Sequence, residues 1–214
     1  VHGSRGLGDV YKRQIYYLTL ENENYIQPSK PEGVSDGVVR GLYKMRGTDQ
    51  PKIRLLGSGP LMREVLAAAE LLKEDWGIEP GIWNVTSFSE LRREAEAVER
   101  WNLTHPDEEP KVSYIEELLS KNTVPTVAVS DYIKLVSDQI RPYVPGPYYC
   151  LGTDGFGRSD TREGLRRFFE VDRYYVVLTA IKALVHAGEL EAGMVDSVLE
   201  KYDLDPEKPN PVMV

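Results

Sequence analysis

Residues 152–160, GTDGFGRSD, join a strand-like segment to a helix-like one. Three glycines within six residues predict a backbone that bends sharply or that another surface approaches closely. The run YYCL at 148–151 is typical of a strand. Asp160, with Glu163 three residues later, predicts a capping box at the start of a helix. A strand, a glycine-rich loop and a helix in this order indicate an α/β domain.

The loop fits neither standard nucleotide-binding pattern, because no Lys-Ser/Thr pair follows its glycines and GxGxxG is absent. Two roles are open for it. Asp154, Arg158 and Asp160 could form a charged cluster that faces a partner subunit or an anion. Alternatively they belong to a hydrogen-bonded turn with a helix cap, which we favour. The candidate structural or interface loop comprises Asp154, Gly155, Phe156, Gly157, Arg158, Ser159 and Asp160.

Strand-like and helix-like segments alternate along the rest of the chain. Strands are predicted at 42–45, 53–56, 82–85, 124–129 and 148–151. Helices are predicted at 58–76, 87–98, 112–119, 132–143, 160–169, 172–187 and 192–202. The first two strands are expected to pair across a turn at 47–51. Repeated β–α units of this length predict an α/β fold with a mostly parallel sheet and helices on both faces.

Composition narrows the classes of function. The 214 residues are 41% hydrophobic and 28% charged, and the net charge of −8 argues against nucleic acid as the main partner. No apolar run is long enough to cross a bilayer. One cysteine, Cys150, excludes an internal disulfide framework and suits a reducing cytoplasm. Because it lies in a predicted buried strand, we expect an inert core thiol rather than a nucleophile.

The sequence predicts no catalytic or metal-binding residue. The spacings His-x-x-x-His, Cys-x-x-Cys and G-x-S-x-G are all absent. The histidines are His2, His105 and His186. We expect His186, in the last turn of a helix, to act as a favourable helix-end charge. Four arginines are predicted to lie on solvated helix faces: Arg162, Arg166, Arg167 and Arg173.

Several motifs, in order and in spacing, resemble one family. They are NENY at 22–25, PEG at 31–33, LLGSG at 55–59, VTSFSEL at 85–91, ERWNLTHP at 99–106, GTDGFGRSDTREGLRRFFEVD at 152–172 and NP at 210–211. Together they resemble the last part of the homodimeric pyruvate dehydrogenase (acetyl-transferring) component, a transketolase-like thiamine diphosphate enzyme. The resemblance covers about residues 15–214.

The resemblance implies a transketolase C-terminal-like domain in a cytoplasmic enzyme. The whole enzyme would decarboxylate pyruvate and reductively acetylate lipoyl groups with thiamine diphosphate and magnesium. Its partners would be the second subunit of a homodimer and the dihydrolipoyl acetyltransferase component. This chain itself would serve structure and dimerisation.

The resemblance also implies that this chain lacks the cofactor site. The family binds magnesium and diphosphate with Gly-Asp-Gly followed by an asparagine, whose oxygen ligands suit a hard cation. Here Asp154-Gly155 lacks the leading glycine, and no asparagine follows until Asn210. We therefore expect no cofactor-binding residue. The alternative is an α/β binding module that holds a regulatory nucleotide or another anion at a helix N-terminus.

Three segments are predicted along the chain. Residues 1–14, VHGSRGLGDVYKRQ, have no periodicity and no match to the family, so we read them as a non-native leader; a native flexible leader is the alternative. Residues 15–30 hold the strand-like IYYLTL and a linker, interpreted as a remnant of a preceding domain. The transketolase C-terminal-like domain is predicted at 31–214.

Overall fold

A single five-stranded sheet organises the chain, which is described here by a computed structural model at residue 24 and at residues 26–214. Its strands are β1 Leu42–Gly47, β2 Arg54–Gly57, β3 Gly81–Val85, β4 Thr126–Val129 and β5 Tyr148–Leu151, in the order β1-β3-β2-β4-β5. Three of the four pairings are parallel. The predicted mostly parallel sheet is therefore confirmed. The predicted leader and the strand at 15–20 lie outside the described residues, so the boundaries at 14 and 30 stay predictions.

The predicted pairing of the first two strands is wrong. β1 pairs antiparallel with β3, with Leu42 opposite Val85, and not with β2. Both edges of β2 are occupied, by β3 on one side and β4 on the other. All four residues of β2 are buried, whereas β1 is only half-buried. A strand covered on both faces belongs in the centre of a parallel sheet, and a half-exposed one suits its edge.

Eight α-helices lie within the described residues. They are α1 Ser35–Arg40, α2 Met62–Trp76, α3 Phe88–Thr104, α4 Tyr114–Leu119, α5 Lys134–Asp138, α6 Arg162–Phe168, α7 Arg173–His186 and α8 Met194–Lys201. Short 3₁₀ turns occupy Gly59–Leu61, Arg141–Tyr143 and Pro211–Met213. None of these helices is long and apolar enough to cross a bilayer.

Helices cover both faces of the sheet, as predicted. On one face, Leu55 of β2 belongs to a core that includes α2, α7 and α8. On the other face, Leu56 belongs to a core with α3 and α4. Successive residues of a strand point to opposite faces, so β2 contributes a leucine to each core.

Helix ends follow local chemistry. Gly77 ends α2 with a left-handed φ of 66°, and the Ser87 side chain caps α3 by accepting from the Glu90 amide. A full capping box, which the sequence reading missed, joins Ser113 and Glu116 at the start of α4.

The predicted helix at 132–143 is broken into two pieces. α5 ends at Asp138, and a 3₁₀ turn begins at Arg141 with Pro142 in its first turn. Proline has no amide hydrogen and its ring clashes with the carbonyl four residues earlier, so a continuous helix through this position is disfavoured.

A buried arginine joins the centre of the sheet to α4. Arg54 is 2% exposed, and its guanidinium donates to Thr126 Oγ1 at 3.1 Å and to the carbonyls of Leu119 at 3.1 Å and Asn122 at 2.8 Å. Burial lowers the pKa of Arg54 to about 10. Each of these acceptors compensates part of the cost of removing the cation from water.

Candidate functional site

A crevice opens where the chain leaves the carboxyl ends of the central strands. After β2 the chain continues into α2 on one face of the sheet, whereas after β4 it continues into α5 on the other. When the loops after two neighbouring parallel strands run to opposite faces of the sheet, a gap opens between them. Ligands of open α/β sheets bind in such gaps. The crevice of about 340 Å³ lies there.

The crevice has an apolar floor and a charged rim. Leu61 from the 3₁₀ turn before α2, with Leu165, Phe169 and Val171 from around α6, supplies apolar surface. The charged lining residues are Asp131, Arg158, Arg162 and Arg166. This combination could accept an apolar group flanked by charge of either sign.

The predicted loop forms one wall of the crevice, and two of its glycines are required by geometry. A Cβ at Gly152 would lie 2.6 Å from the Tyr132 carbonyl oxygen. Gly155 has a φ of 107°, and a Cβ there would lie 2.6 Å from the Pro211 carbonyl oxygen. Gly157 meets neither condition, since its φ is ordinary and nothing lies within 4 Å. The predicted sharp bend or close approach of another surface is therefore found at Gly152 and Gly155, and not at Gly157.

The charged loop residues contact separate neighbours. Asp154 accepts a hydrogen bond from the Lys134 amide at 3.1 Å and lies 3.7 Å from Lys134 Nζ. The Arg158 guanidinium stacks 4.2 Å above the Phe168 ring. Residues 155–160 are exposed, including Ser159 and the 81% exposed Phe156. Whether the loop serves the fold or an interface stays a prediction.

The cap of α6 is Thr161, one residue later than predicted. Thr161 Oγ1 accepts from the Gly164 amide at 3.1 Å, while Asp160 accepts from the Thr161 amide at 2.6 Å. Aspartate and threonine are both good N-cap residues, so composition alone did not separate them. Thr161 has the extended backbone of an N-cap and directly precedes the first helical residue.

An ion network beside the crevice was missed by the sequence reading. Glu64 of α2 is 3% exposed and accepts from Arg166 Nη1 at 3.0 Å, from Arg173 Nε at 3.0 Å and from the Arg173 amide at 3.1 Å. Burial would raise the pKa of the Glu64 carboxyl, but the hydrogen bonds and charge of Arg173, with the charge of Arg166, hold that pKa below its usual value. Glu64, Ala68 and Leu72 are buried at four-residue spacing, which is the signal that could have revealed it.

Arg166, Arg167 and Arg173, which the sequence analysis assigned to solvated helix faces, have structural partners. Arg166 and Arg173 hold Glu64. Arg167 lies 3.4 Å from Asp172, and it donates to the carbonyls of Tyr202 at 3.0 Å and Asp203 at 2.7 Å. Asp172 caps α7, and its burial raises the pKa of that carboxyl despite hydrogen bonds from backbone amides and Arg167. These contacts fix α6 to α7 and to the end of α8.

The remaining polar candidates lie outside the crevice lining. His105 stacks on Trp101 with ring centroids 4.5 Å apart, and His186 Nδ1 lies 3.2 Å from Tyr149 Oη. Burial raises the pKa of the half-buried Cys150 thiol to about 11, which supports the reading of an inert thiol. Residues 24 and 26–214 contain no group of three or more His, Cys, Asp or Glu able to hold a metal ion.

A mostly parallel sheet with helices on both faces and a crevice at its topological switch point defines a doubly wound α/β domain. The model of the transketolase-like TK C-terminal domain family matches residues 41–172. The chain belongs to that family, which confirms the resemblance on which the predicted fold class rested.

Curated relatives match almost the entire chain. It is 50% identical to the pyruvate dehydrogenase E1 component of Cupriavidus necator over 98% of this chain and 24% of that protein. The E1 components of Pseudomonas aeruginosa and Escherichia coli are 48% and 45% identical, over 98% and 97% of this chain. The chain thus spans about a quarter of the length of these relatives.

Solved transketolases of Pichia stipitis share the fold. One in complex with xylulose-5-phosphate has a TM-score of 0.51 over 72% of this chain and 19% of that chain. A mutant in complex with fructose-6-phosphate has a TM-score of 0.50 over 71% and 19%. Both are 18% identical to this chain, so they support the fold alone.

Proposed function

We propose that the chain serves as the C-terminal domain of a pyruvate dehydrogenase E1 component. The observation that carries this proposal is identity of 45–50% with E1 components over 97–98% of the chain. The whole enzyme would decarboxylate pyruvate in the cytoplasm and pass the two-carbon unit to lipoyl groups of the dihydrolipoyl acetyltransferase component. Thiamine diphosphate, held with magnesium, supplies the carbanion chemistry when bound.

The residues of this chain do not fit the magnesium and diphosphate site. Asp154, the only aspartate of the glycine-rich loop before a glycine, already accepts from the Lys134 amide. Asn210, the only asparagine after it, accepts from the Val212 amide and caps the last 3₁₀ turn. We therefore assign cofactor binding and catalysis to the other parts of the enzyme, and no step of the reaction to these residues.

The role of this domain would be to support the fold of the enzyme and contact a second subunit. The loop at 154–160 is the candidate contact, because it is largely exposed while its base is fixed at Gly152 and Gly155. The alternative, a binding module for a regulatory nucleotide or another anion, gains no support from the relatives, which are named as E1 components.

A domain exchange tests the proposal. The C-terminal quarter of the Escherichia coli E1 component would be replaced by residues 31–214 of this chain, and pyruvate-dependent activity of the reconstituted complex measured. We expect most of the parent activity. A matched exchange with the C-terminal domain of a transketolase should lose it. Equal loss in both chimeras, with both proteins folded and dimeric, would contradict the proposal.

The isolated chain provides a second test. With pyruvate, thiamine diphosphate and magnesium, we expect no carbon dioxide release above the buffer background, since the chain lacks the cofactor motif. The intact Escherichia coli E1 component is the positive control. Turnover by the purified chain would show that it holds a cofactor site that its sequence does not reveal.

A further inference from the structure

The crevice is positively charged in an otherwise acidic molecule. Its lining carries three arginines, Arg158, Arg162 and Arg166, and one acidic side chain, Asp131. The chain as a whole has a net charge of −8. A cleft with apolar walls focuses the field of the charged groups that line it, and this field raises the local concentration of ions of opposite sign. The crevice is therefore suited to an anionic ligand.

Arg158 is held at the edge of the crevice without a carboxylate partner. Among residues 24 and 26–214, no ion pair includes Arg158. Its guanidinium stacks on the Phe168 ring, and Phe168 meets Phe169 edge to face with ring centroids 4.9 Å apart. Phe169 belongs to the apolar floor. Stacking fixes the cation beside that floor and leaves its N–H groups able to bind an anion in the plane of the guanidinium.

Arg166 adds a second cation from the inner side. Its Nη1 donates to Glu64 at 3.0 Å, and its side chain is only 17% exposed. Glu64 also accepts from Arg173, so two guanidinium groups share one carboxylate. The cluster of these three side chains keeps an excess positive charge, and Arg166 is its member that lines the crevice.

The apolar floor limits the ligand to a small molecule with a hydrocarbon part. Leu61 and Val171 are buried, whereas Leu165 and Phe169 are half-buried and have surface left to cover. The volume of about 340 Å³ lies at the lower end of the range of about 300–1,000 Å³ that small-molecule sites occupy. On the loop side, a Cβ at Gly157 would meet nothing within 4 Å, so that wall leaves room.

A carboxylate fits this site better than a phosphate. The amides at the start of α6 are already occupied, because Thr161 donates to Asp160 and Gly164 donates to Thr161. The loop also lacks the Lys-Ser/Thr pair of phosphate-binding loops. The two oxygens of a carboxylate match the planar fork of a guanidinium. We infer that the crevice binds a small carboxylic acid with an aliphatic body, whose carboxylate is held by Arg158 and Arg166.

This inference goes beyond the proposed function and does not rest on it. Isothermal titration calorimetry of the full 214-residue chain with acetate, butanoate and hexanoate measures it. We expect hexanoate to bind at a single site, and each added methylene in the series to tighten binding by about two- to fourfold, because it buries apolar surface. Hexanamide has the same shape without the charge, and it should bind about tenfold more weakly than hexanoate.

Variants of the crevice locate the binding. Arg158→Gln should weaken hexanoate binding about tenfold through loss of a charged hydrogen bond. Arg100→Gln is the matched control, because Arg100 is an exposed arginine of α3, on the other face of the sheet; it should change the affinity by less than about twofold. Leu165→Trp should abolish binding by filling the crevice. If that variant does not fold, Leu165→Ala replaces it and should bind hexanoate about threefold more weakly, because part of the floor is removed.

Three results would overturn the inference. They are a parent chain that shows no saturable binding of hexanoate at millimolar concentrations, equal affinities for acetate and hexanoate, which would indicate an adventitious ion only, and a parent-like affinity in Arg158→Gln. Neither pyruvate nor thiamine diphosphate enters this measurement. Its failure therefore leaves the assignment to the E1 component intact, and failure of the domain exchange leaves the binding measurement intact.

Discussion

At the scale of single residues, the partners of buried charged side chains were the hardest feature to predict from sequence. Glu64 is separated by about one hundred residues from Arg166 and Arg173, which hold it. Helical periodicity places Glu64 on the buried face of α2, but it does not identify the partner of a buried charge. The arginines have the spacing of a solvated helix face. Only the tertiary contacts therefore distinguish an arginine that holds a buried carboxylate from one that faces solvent.

Glu64→Gln should lower the free energy of unfolding by about 2 kcal/mol near pH 7, because it leaves the two guanidinium groups without their counter-charge. The pKa of Glu64 in the folded protein is lowered below its ordinary value of 4.5. Its contribution is therefore complete above that pH and is lost as the pH falls through the folded pKa. The free energy of unfolding in urea, measured for parent and variant from neutral to acidic pH, should become more similar for the two proteins as the pH falls.

Glu70→Gln on the same helix is the control for this experiment. Glu70 and its partner Arg46 are both about half exposed. An exposed ion pair is worth little, so this change should alter stability by less than about 0.5 kcal/mol. A gap between parent and Glu64→Gln that did not narrow below pH 4.5 would show that the carboxyl does not carry the effect.

The two loop glycines that differ in geometry give a second prediction. Gly155→Ala should destabilise by about 2 kcal/mol or more, because alanine disfavours a φ of 107° and its Cβ would meet the Pro211 carbonyl oxygen. Gly157→Ala should be neutral or slightly stabilising, because the substitution restricts only the unfolded chain. Thermal unfolding of the two variants compares them directly. Equal melting temperatures would mean that the backbone at 155 is not constrained.

At the scale of the elements, the sequence predicted which segments form strands and helices better than which strands pair. Apolar periodicity identified the five strands and most of the helices, because burial imposes that pattern locally. The partner of β1 depends on which edges of β2 are already occupied, and this is settled by the whole sheet. The break at Pro142 was readable in principle, since proline is a known helix breaker.

The start of α6 offers a test of the corrected cap. Thr161→Ala should destabilise by about 1 kcal/mol, because the Gly164 amide loses its acceptor. Asp160→Ala should cost less, since Asp160 accepts from the amide before the helix. Chemical unfolding of both variants measures the difference. The opposite ranking would return the cap to the residue that the sequence first indicated.

At the scale of the whole molecule, the crevice was only partly predictable. The sequence indicated the glycine-rich loop, and the loop does form one wall. The opposite wall comes from the 3₁₀ turn that precedes α2, about ninety residues earlier in the chain. Its presence there follows from the strand order, which local pattern does not encode.

Removing residues 1–29 tests the predicted domain boundary. All five strands begin at Leu42 or later, so the shortened chain should keep its circular dichroism spectrum and its cooperative unfolding. The strand predicted at 15–20 would have no sheet to join, and unpaired strand edges promote association. We therefore expect light scattering from self-associated or aggregated chains to fall. A shortened chain that unfolds would place the boundary earlier than residue 30.

The central position of β2 has a consequence during protein synthesis. Arg54 of β2 pairs with Thr126 of β4, so β2 cannot form this pairing until the ribosome has added 72 more residues. At the usual rates of translation this delay is roughly 4 to 14 seconds. Throughout it, Leu55 and Leu56 lack the neighbour that will cover one edge of their strand. The nascent chain therefore exposes one edge of its central strand to chaperones for longer than any other strand of the sheet waits for a partner.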